Sequence, residues 1–316
     1  MIKFMVYAPI VCFGFDRPHH LENMLTSLEM NSESSESDVY ICIDGPSEKT
    51  DISLHEQTKN VAKKNWRFKS TTLIFRENNL DCRTNIITTI SELFESHEEL
   101  IILEDDLELG KNFLKFMNDS LEKYKDSNNV WHVNGYAYPQ LNFKKRASIG
   151  RYISPWGWAT WKDKWDIFVK KDYDKTNMIS QLSDEERNKF NVEKLYDWEN
   201  IIIKNEIGEI SAWDAYWYQA VFLNDGYSIY PNKSHIKNKG FDGTGMHCSN
   251  NDDWKTPLNS SQTNHFPNNI SETKLFRFNT LLFYRYYNFK RYLRFHKSKI
   301  ESFENFRNFL RKKLSI

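Results

Sequence analysis

The stretch Ile101-Ile102-Leu103-Glu104-Asp105-Asp106-Leu107-Glu108 decides how this chain is read. Residues 100–103 form a short apolar run of the kind buried in a parallel sheet, and it leads directly into three acids. Adjacent carboxylates at the end of a buried strand repel one another and lose hydration, so something must neutralise them. A divalent cation can: hard ions such as Mg²⁺ and Mn²⁺ take carboxylate oxygen, and phosphate oxygens complete the shell. The competing reading is a solvated acidic turn that caps the next helix. The hydrophobic strand in front of the acids favours the metal.

Outward from this run, the first half of the chain alternates strand-like and helix-like segments. Residues 4–15 are mainly apolar and β-branched, and 18–30 carry a helical pattern. A polar loop at 31–37 precedes a short strand, 39–43, that ends on the turn signal Asp44-Gly45-Pro46. A polar helix over 49–65, a strand over 70–75 and an amphipathic helix over 84–96 follow. This order predicts an α/β fold, a mostly parallel central sheet flanked by helices. Ligands of such sheets bind beyond the carboxyl ends of the strands. Asp44 and the acidic run both fall there.

The second half is less regular. A strand is expected over 130–133, a loop over 134–147, a charged helical region over 183–204, a helix over 214–223 and a strand over 227–231. Residues 240–267 are polar and rich in Asn, Ser and Gly, which suits a loop.

Lys plus Arg equals Asp plus Glu at 43 each, so total charge points to no partner, but its distribution does. Residues 274–316 hold twelve basic side chains against Glu301 and Glu304, which leaves the remainder net acidic. The tail interleaves Phe, Tyr and Leu with Lys and Arg, so it suits either an anionic membrane surface or packing on the preceding domain. Cys12, Cys42, Cys82 and Cys248 show no paired spacing, as expected of free thiols in a reducing compartment. No signal peptide and no apolar run of membrane-spanning length is visible, so the expected location is the cytoplasm, or the cytosolic face of a membrane.

Several further groups carry chemistry. Arg17, in Phe15-Asp16-Arg17-Pro18, offers a planar fork for a phosphate or a base edge, or pairs with Asp16 at a helix start. Asp44 is either a ligand contact or the anchor of an Asx-turn. Arg83 follows Asn79-Leu80-Asp81-Cys82 and either reaches a phosphate or lies on a helix surface. In Pro155-Trp156-Gly157-Trp158, glycine beside aromatics allows close backbone approach to a ligand with rings as platforms, or else a packed core turn. Asp214, within Trp213-Asp214-Ala215-Tyr216-Trp217, sits among aromatics that restrict water; it is a base or a helix cap. Gly240-Phe241-Asp242-Gly243-Thr244-Gly245-Met246-His247 suits a loop over phosphate, with His247 a metal or diphosphate contact or a surface residue.

Taken in order over residues 3–247, these motifs resemble those of GT-A glycosyltransferases. Glu-Asp-Asp-Leu-Glu is especially similar to the acidic motif of N-acetylglucosaminyltransferase I, and the other segments resemble bacterial family 2-like sugar transferases. The resemblance implies a GT-A domain over 1–273, with a nucleotide-binding half about 1–108 and an acceptor half about 109–273. Residues 274–316 would form a helical tail. It implies Asp106 as the direct ligand of Mn²⁺ or Mg²⁺. Arg17, Asp44, Arg83, Glu104, Asp105, Gly157, Trp158, Trp213 and His247 would surround the nucleotide and donor sugar. Asp214 would be the catalytic base of an inverting transfer from a UDP-sugar, such as UDP-GlcNAc or a related hexose donor. The acceptor would be a hydroxyl of a glycan or lipid-linked oligosaccharide in surface polysaccharide or O-antigen synthesis, with no nucleic acid expected as a partner. A sugar-phosphate nucleotidyltransferase shares the layout, but its Gly-rich phosphate loop is missing from the first strand. A non-catalytic carbohydrate-binding protein would explain the tryptophans and not the buried acids.

Overall fold

The computed structural model describes residues 7–138, 146–171, 177–242, 254, 256–259 and 261–314. β1 (Ile10–Gly14) is an apolar strand, and Phe15-Asp16-Arg17 links it to α1 (Pro18–Glu29). Pro18 opens that helix where its missing N–H costs nothing, and Leu21, Met24, Leu25 and Leu28 bury one face at helical spacing. β2 (Asp38–Ile43) and α2 (Ile52–Ala62) follow; Asp51 caps α2 by accepting from the amides of Ser53 and Leu54. Next come β3 (Ser70–Phe75), α3 (Cys82–Leu93) and β4 (Glu99–Glu104).

Beyond the acidic run lie β5 (Leu107–Leu109), α4 (Phe113–Tyr124), β6 (Val130–Asn134), β7 (Ser148–Gly150) and β8 (Trp158–Trp161). Helices α5 (Lys162–Lys170), α6 (Asn177–Ser180), α7 (Asp184–Phe190), α8 (Trp198–Glu206) and α9 (Trp213–Leu223) come next. The chain then forms β9 (Tyr227–Tyr230), β10 (Ile236–Asn238) and the long α10 (Lys274–Leu314). Among the described residues no helix is long and apolar enough to cross a membrane.

The strands form one sheet in the order β3-β2-β1-β4-β8-β6-β9-β7, with a small antiparallel ribbon of β5 and β10 beside it. β3, β2, β1 and β4 run parallel. β8 lies antiparallel between β4 and β6, β9 pairs parallel with β6, and β7 closes the edge antiparallel. The expected α/β architecture is therefore present, with a sheet that becomes mixed beyond β4. Gly14 stands opposite Ile43, and Phe13 opposite Glu104. Strands β1, β2 and β4 thus end at one level, which brings Arg17, Asp44 and the acidic run to the same edge.

Three expectations need correction. β3 is an edge strand whose first four residues are exposed, so this part of the sheet is not buried on both faces. The charged region over 183–204 is two helices, because Val192, Glu193 and Lys194 all take left-handed φ values of 50, 54 and 64°. The loop over 31–37 contains a 3₁₀ turn, Ser32–Glu36.

Trp158 is the centre of the aromatic layer beneath α9. Its position on β8 faces Ile102 of β4 on one side and Asn134 of β6 on the other. The ring is fully buried, stacked 5.0 Å from His132 and 5.3 Å from Trp213. Trp217 Nε1 donates to His132 Nδ1 at 3.0 Å, so His132 Nε2 carries the proton and donates to the Ser154 carbonyl at 3.1 Å. Burial pushes the His132 pKa down to about 3, which keeps the ring neutral and inside the core. Trp158→Ala should cost roughly 3–5 kcal/mol of stability in urea unfolding through the cavity it leaves; a loss below about 1 kcal/mol would place the ring outside the core.

Candidate functional site

Arg17 precedes α1 and turns back across the sheet end onto β4. Its Nε donates to Asp105 Oδ2 at 3.1 Å and its Nη2 donates to Oδ1, a two-point grip on one carboxylate. Nη1 lies 3.5 Å from Asp106 Oδ2. The arginine therefore neutralises the acidic run directly, 88 residues away in sequence, instead of pairing with Asp16.

The acids are nonetheless more numerous than their counter-charge. Burial pushes the Glu104 pKa well up, and Asp106, Asp105 and Asp214 raise it further while Arg17 opposes them. Burial also raises Asp105 and Asp106, against the pull of Arg17. The Asp105 side chain is 4% exposed and Asp106 14%, so Asp106 is the carboxylate more open to a ligand. Gly240 backs it: a Cβ there would come within 2.5 Å of Asp106 Oδ2. The Lys239 amide donates to the Asp106 carbonyl at 2.7 Å, fixing that turn.

Asp214 is the second residue of α9. The cap position belongs to Ala212, which makes no side-chain bond, so the capping role considered for Asp214 is not the one observed. Burial pushes its pKa up to about 6, with its own amide and that of Ala215 pulling the other way. Its charge is felt by Glu104 and by Cys82, the first residue of α3, whose thiol is raised by burial and then by Glu104, Asp81, Asp105 and Asp214. The starts of α3 and α9 and the end of β4 therefore meet around one group of carboxylates.

Two residues that carry no distinctive signal in the sequence help hold that meeting point. Asp81 caps α3, accepting from the amides of Arg83 at 2.9 Å and Thr84 at 3.2 Å, and the Ser211 hydroxyl donates to the same carboxylate at 3.3 Å. Asp81 pays a conformational penalty, with φ at 63°. Arg83 lies over the Tyr216 ring, 5.7 Å from its centroid, and so ties α3 to α9.

Asp44 is 5% exposed and braces the neighbouring loop. Its Oδ1 accepts from the amides of Gly45 at 2.8 Å and Leu80 at 3.0 Å, and its Oδ2 accepts from Asn79 Nδ2 at 3.2 Å. Burial raises its pKa while the Leu80 and Gly45 amides lower it.

The Gly-Trp segment is a packed turn in this structure. Gly157 takes φ +60°, accepts from the Gly135 amide at 2.7 Å, and has room for no side chain because a Cβ would come within 2.7 Å of Ile236. Trp158 is fully buried and Trp213, 4% exposed, is stacked on it. Their faces meet other rings, so neither is an open platform for a sugar. His247 lies outside the described residues.

A divalent cation suits this site by charge and donor chemistry: the hard carboxylates of Asp105 and Asp106 share one guanidinium, with Glu104 beside them. Among the described residues no three His, Cys, Asp or Glu side chains form a ready-made cage. Asp106 would hold the ion, and other ligands would have to come from outside the cluster. A surface groove of about 340 Å³ between α1 and α2, lined by Pro18, Glu22, Gln57 and Lys64 among others, contains none of these residues.

No family model matches the chain, and no curated protein matches it in sequence. Solved structures do match in part. TarS of S. aureus is 14% identical with a TM-score of 0.42, over 73% of this chain and 36% of that one. A mannosyltransferase from Pyrobaculum calidifontis, solved with GDP-Man and Mn²⁺, is 8% identical with a TM-score of 0.40, over 70% of each chain. A cytidylyltransferase from Leptospira borgpetersenii serovar Hardjo-bovis is 13% identical with a TM-score of 0.34, over 52% of this chain and 64% of that one. Likeness at this level leaves the function to the site itself.

Arg17→Gln removes the counter-ion and leaves the acids unpaired, at an expected cost of roughly 3–5 kcal/mol. The raised carboxyls are protonated at low pH and ionise as pH rises, so the loss should be larger at pH 8 than at pH 5.5. Urea titrations at both values measure it; a loss independent of pH would argue against the ion pair as its cause.

Proposed function

We propose that this chain is a glycosyltransferase that moves a sugar from a nucleoside diphosphate donor, UDP-linked, to a hydroxyl of a glycan or lipid-linked acceptor. The observation that carries this reading is that Glu104, beside Asp105 and Asp106 at the carboxyl end of β4, feels the charge of Asp214 from the start of α9. One carboxylate lies on a separate element, the first turn of α9, with its pKa raised to about 6, near an acidic group suited to a diphosphate-bound cation. Sugar transfer needs both.

In this mechanism the acceptor hydroxyl gives its proton to the Asp214 carboxylate as its oxygen bonds to the anomeric carbon. The bond from that carbon to the diphosphate breaks, the configuration inverts, and the electron pair leaves with the diphosphate. Asp106 would hold Mn²⁺ or Mg²⁺, which when bound would supply Lewis-acid neutralisation of the charge on the leaving diphosphate. Arg17 holds Asp105 in place and opposes the rise that burial imposes on it, and Glu104 and Asp105 face the donor. Asp44 Oδ2, with a single bond from Asn79, offers an acceptor to a base N–H. Arg83, extended from the start of α3, supplies a cation for the diphosphate. Surface polysaccharide assembly, of the O-antigen kind, is the setting that best fits a lipid-linked acceptor.

Asp106→Asn should abolish Mn²⁺-dependent binding of UDP in calorimetry; an unchanged titration would remove it as the ligand. Asp214→Asn should keep donor binding and lower kcat by about 100-fold or more. Asp214 acts only when ionised, so kcat of the unmodified protein should rise as pH passes upward through about 6, and the variant should lose that inflection. Release of UDP, rather than pyrophosphate, distinguishes sugar transfer from nucleotidyl transfer in the same assay.

A further inference from the structure

α10 presents two faces of different character. The inward face is locked to the body. Phe276 covers Gly150, where a Cβ would come within 2.0 Å of the ring, and the Tyr284 and Tyr138 hydroxyls meet at 3.1 Å. Asn288 Nδ2 donates to the Leu195 carbonyl at 2.7 Å, and Arg277 pairs with Glu193. These contacts fix the rotation of the helix about its axis, and with it the direction of the other face.

That other face carries Leu275, Phe278, Leu282, Tyr286, Phe289 and Leu293. Each is between 45% and 59% exposed. Their steps of three or four residues keep them on one side of an α-helix, and the span of five turns makes a stripe about 27 Å long. From residue 274 to residue 300 the chain holds eight Lys and Arg and no Asp or Glu. On the helix, Arg285 and Lys290 fall on opposite sides of the stripe, and Lys290 Nζ lies 4.9 Å from the centre of the Tyr286 ring.

We propose that this stripe lies in the surface of an anionic bilayer. The Leu, Phe and Tyr side chains enter the acyl boundary, and Arg285 and Lys290 extend along them to phosphate headgroups. Charge selects the occupant. A second copy of α10 would set eight like charges against eight, with no acid between residues 274 and 300 to offset them. A nucleic acid would satisfy the cations and leave the aliphatic row in water. A bilayer with acidic headgroups satisfies both parts, and the helix lies along its surface rather than through it, since it is not apolar enough to cross. The inference stands on α10 alone and does not depend on the sugar-transfer reading.

The test is sedimentation of the full chain with phosphatidylcholine vesicles containing about one-third phosphatidylglycerol, against pure phosphatidylcholine. The unmodified chain should pellet with the anionic vesicles, and less with added salt or with neutral ones. Phe278→Ser with Phe289→Ser, and separately Arg285→Glu with Lys290→Glu, should each weaken partitioning by roughly tenfold or more. Circular dichroism and UDP calorimetry without vesicles show whether each variant stays folded and keeps its donor site. Equal sedimentation of unmodified and variant chains overturns the proposal, as does a chain that stays in the supernatant with every vesicle. Conversion of a dimer to a monomer by the Phe substitutions, with no effect on vesicles, assigns the stripe to a second copy instead.

Discussion

The ion pair between Arg17 and the acidic run sets the terms for the rest of this molecule. Glu104, Asp105 and Asp106 follow one another at the end of β4; Arg17, 88 residues away, forks onto Asp105, and Glu104 also feels the charge of Asp214 from the start of α9. Each acid removed from water costs free energy unless a counter-charge meets it or a proton neutralises it. Burial raises the pKa of Glu104, Asp105 and Asp106 in spite of Arg17, so desolvation outweighs the one ion pair that faces them. The register of β1 against β4, a pairing of buried apolar residues, places the start of α1 within reach of Asp105.

The helix that carries Asp214 is held in place by packing. Trp213 rests on Trp158, Trp158 rests on His132, and the Trp217 indole fixes the tautomer of that histidine. Interlocked rings leave α9 little freedom to slide, and a carboxylate on its first turn inherits that rigidity. The many aromatic rings of the second half of the chain serve to position α9, one layer behind Asp214.

Much of the parallel half of the fold was legible in the sequence because its strands are short apolar runs that stop at turn residues. β3 could be bounded from its pattern to the residue. β8 and β7 were not foreseen, since antiparallel insertion depends on partners from separate parts of the chain and leaves no local period. The break between α7 and α8 was hidden for another reason: Val192 and Glu193 are ordinary residues forced into left-handed φ by tertiary contacts. At the site, the acidic run and its strand could be read directly. The partner of Arg17 could not, because proximity in sequence favoured Asp16. Trp158 was equally ambiguous, as a ring beside glycine has the same sequence signature whether it faces a ligand or a core. Its burial decides in favour of the core.

The central place of β8 also bears on how the chain reaches this state. β4 is completed on one side by β1, about ninety positions upstream and so already synthesised when β4 emerges, and on the other by residues more than fifty positions downstream. Until β8 arrives, Leu100, Ile101 and Ile102 form an open strand edge that is both hydrophobic and unpaired, the kind of surface on which nascent chains associate. Closing so long a loop is slow, so the acidic run would be set in its final frame late in folding. A ribosome delivering this protein therefore exposes its most adhesive edge just ahead of the residues that later carry its charge.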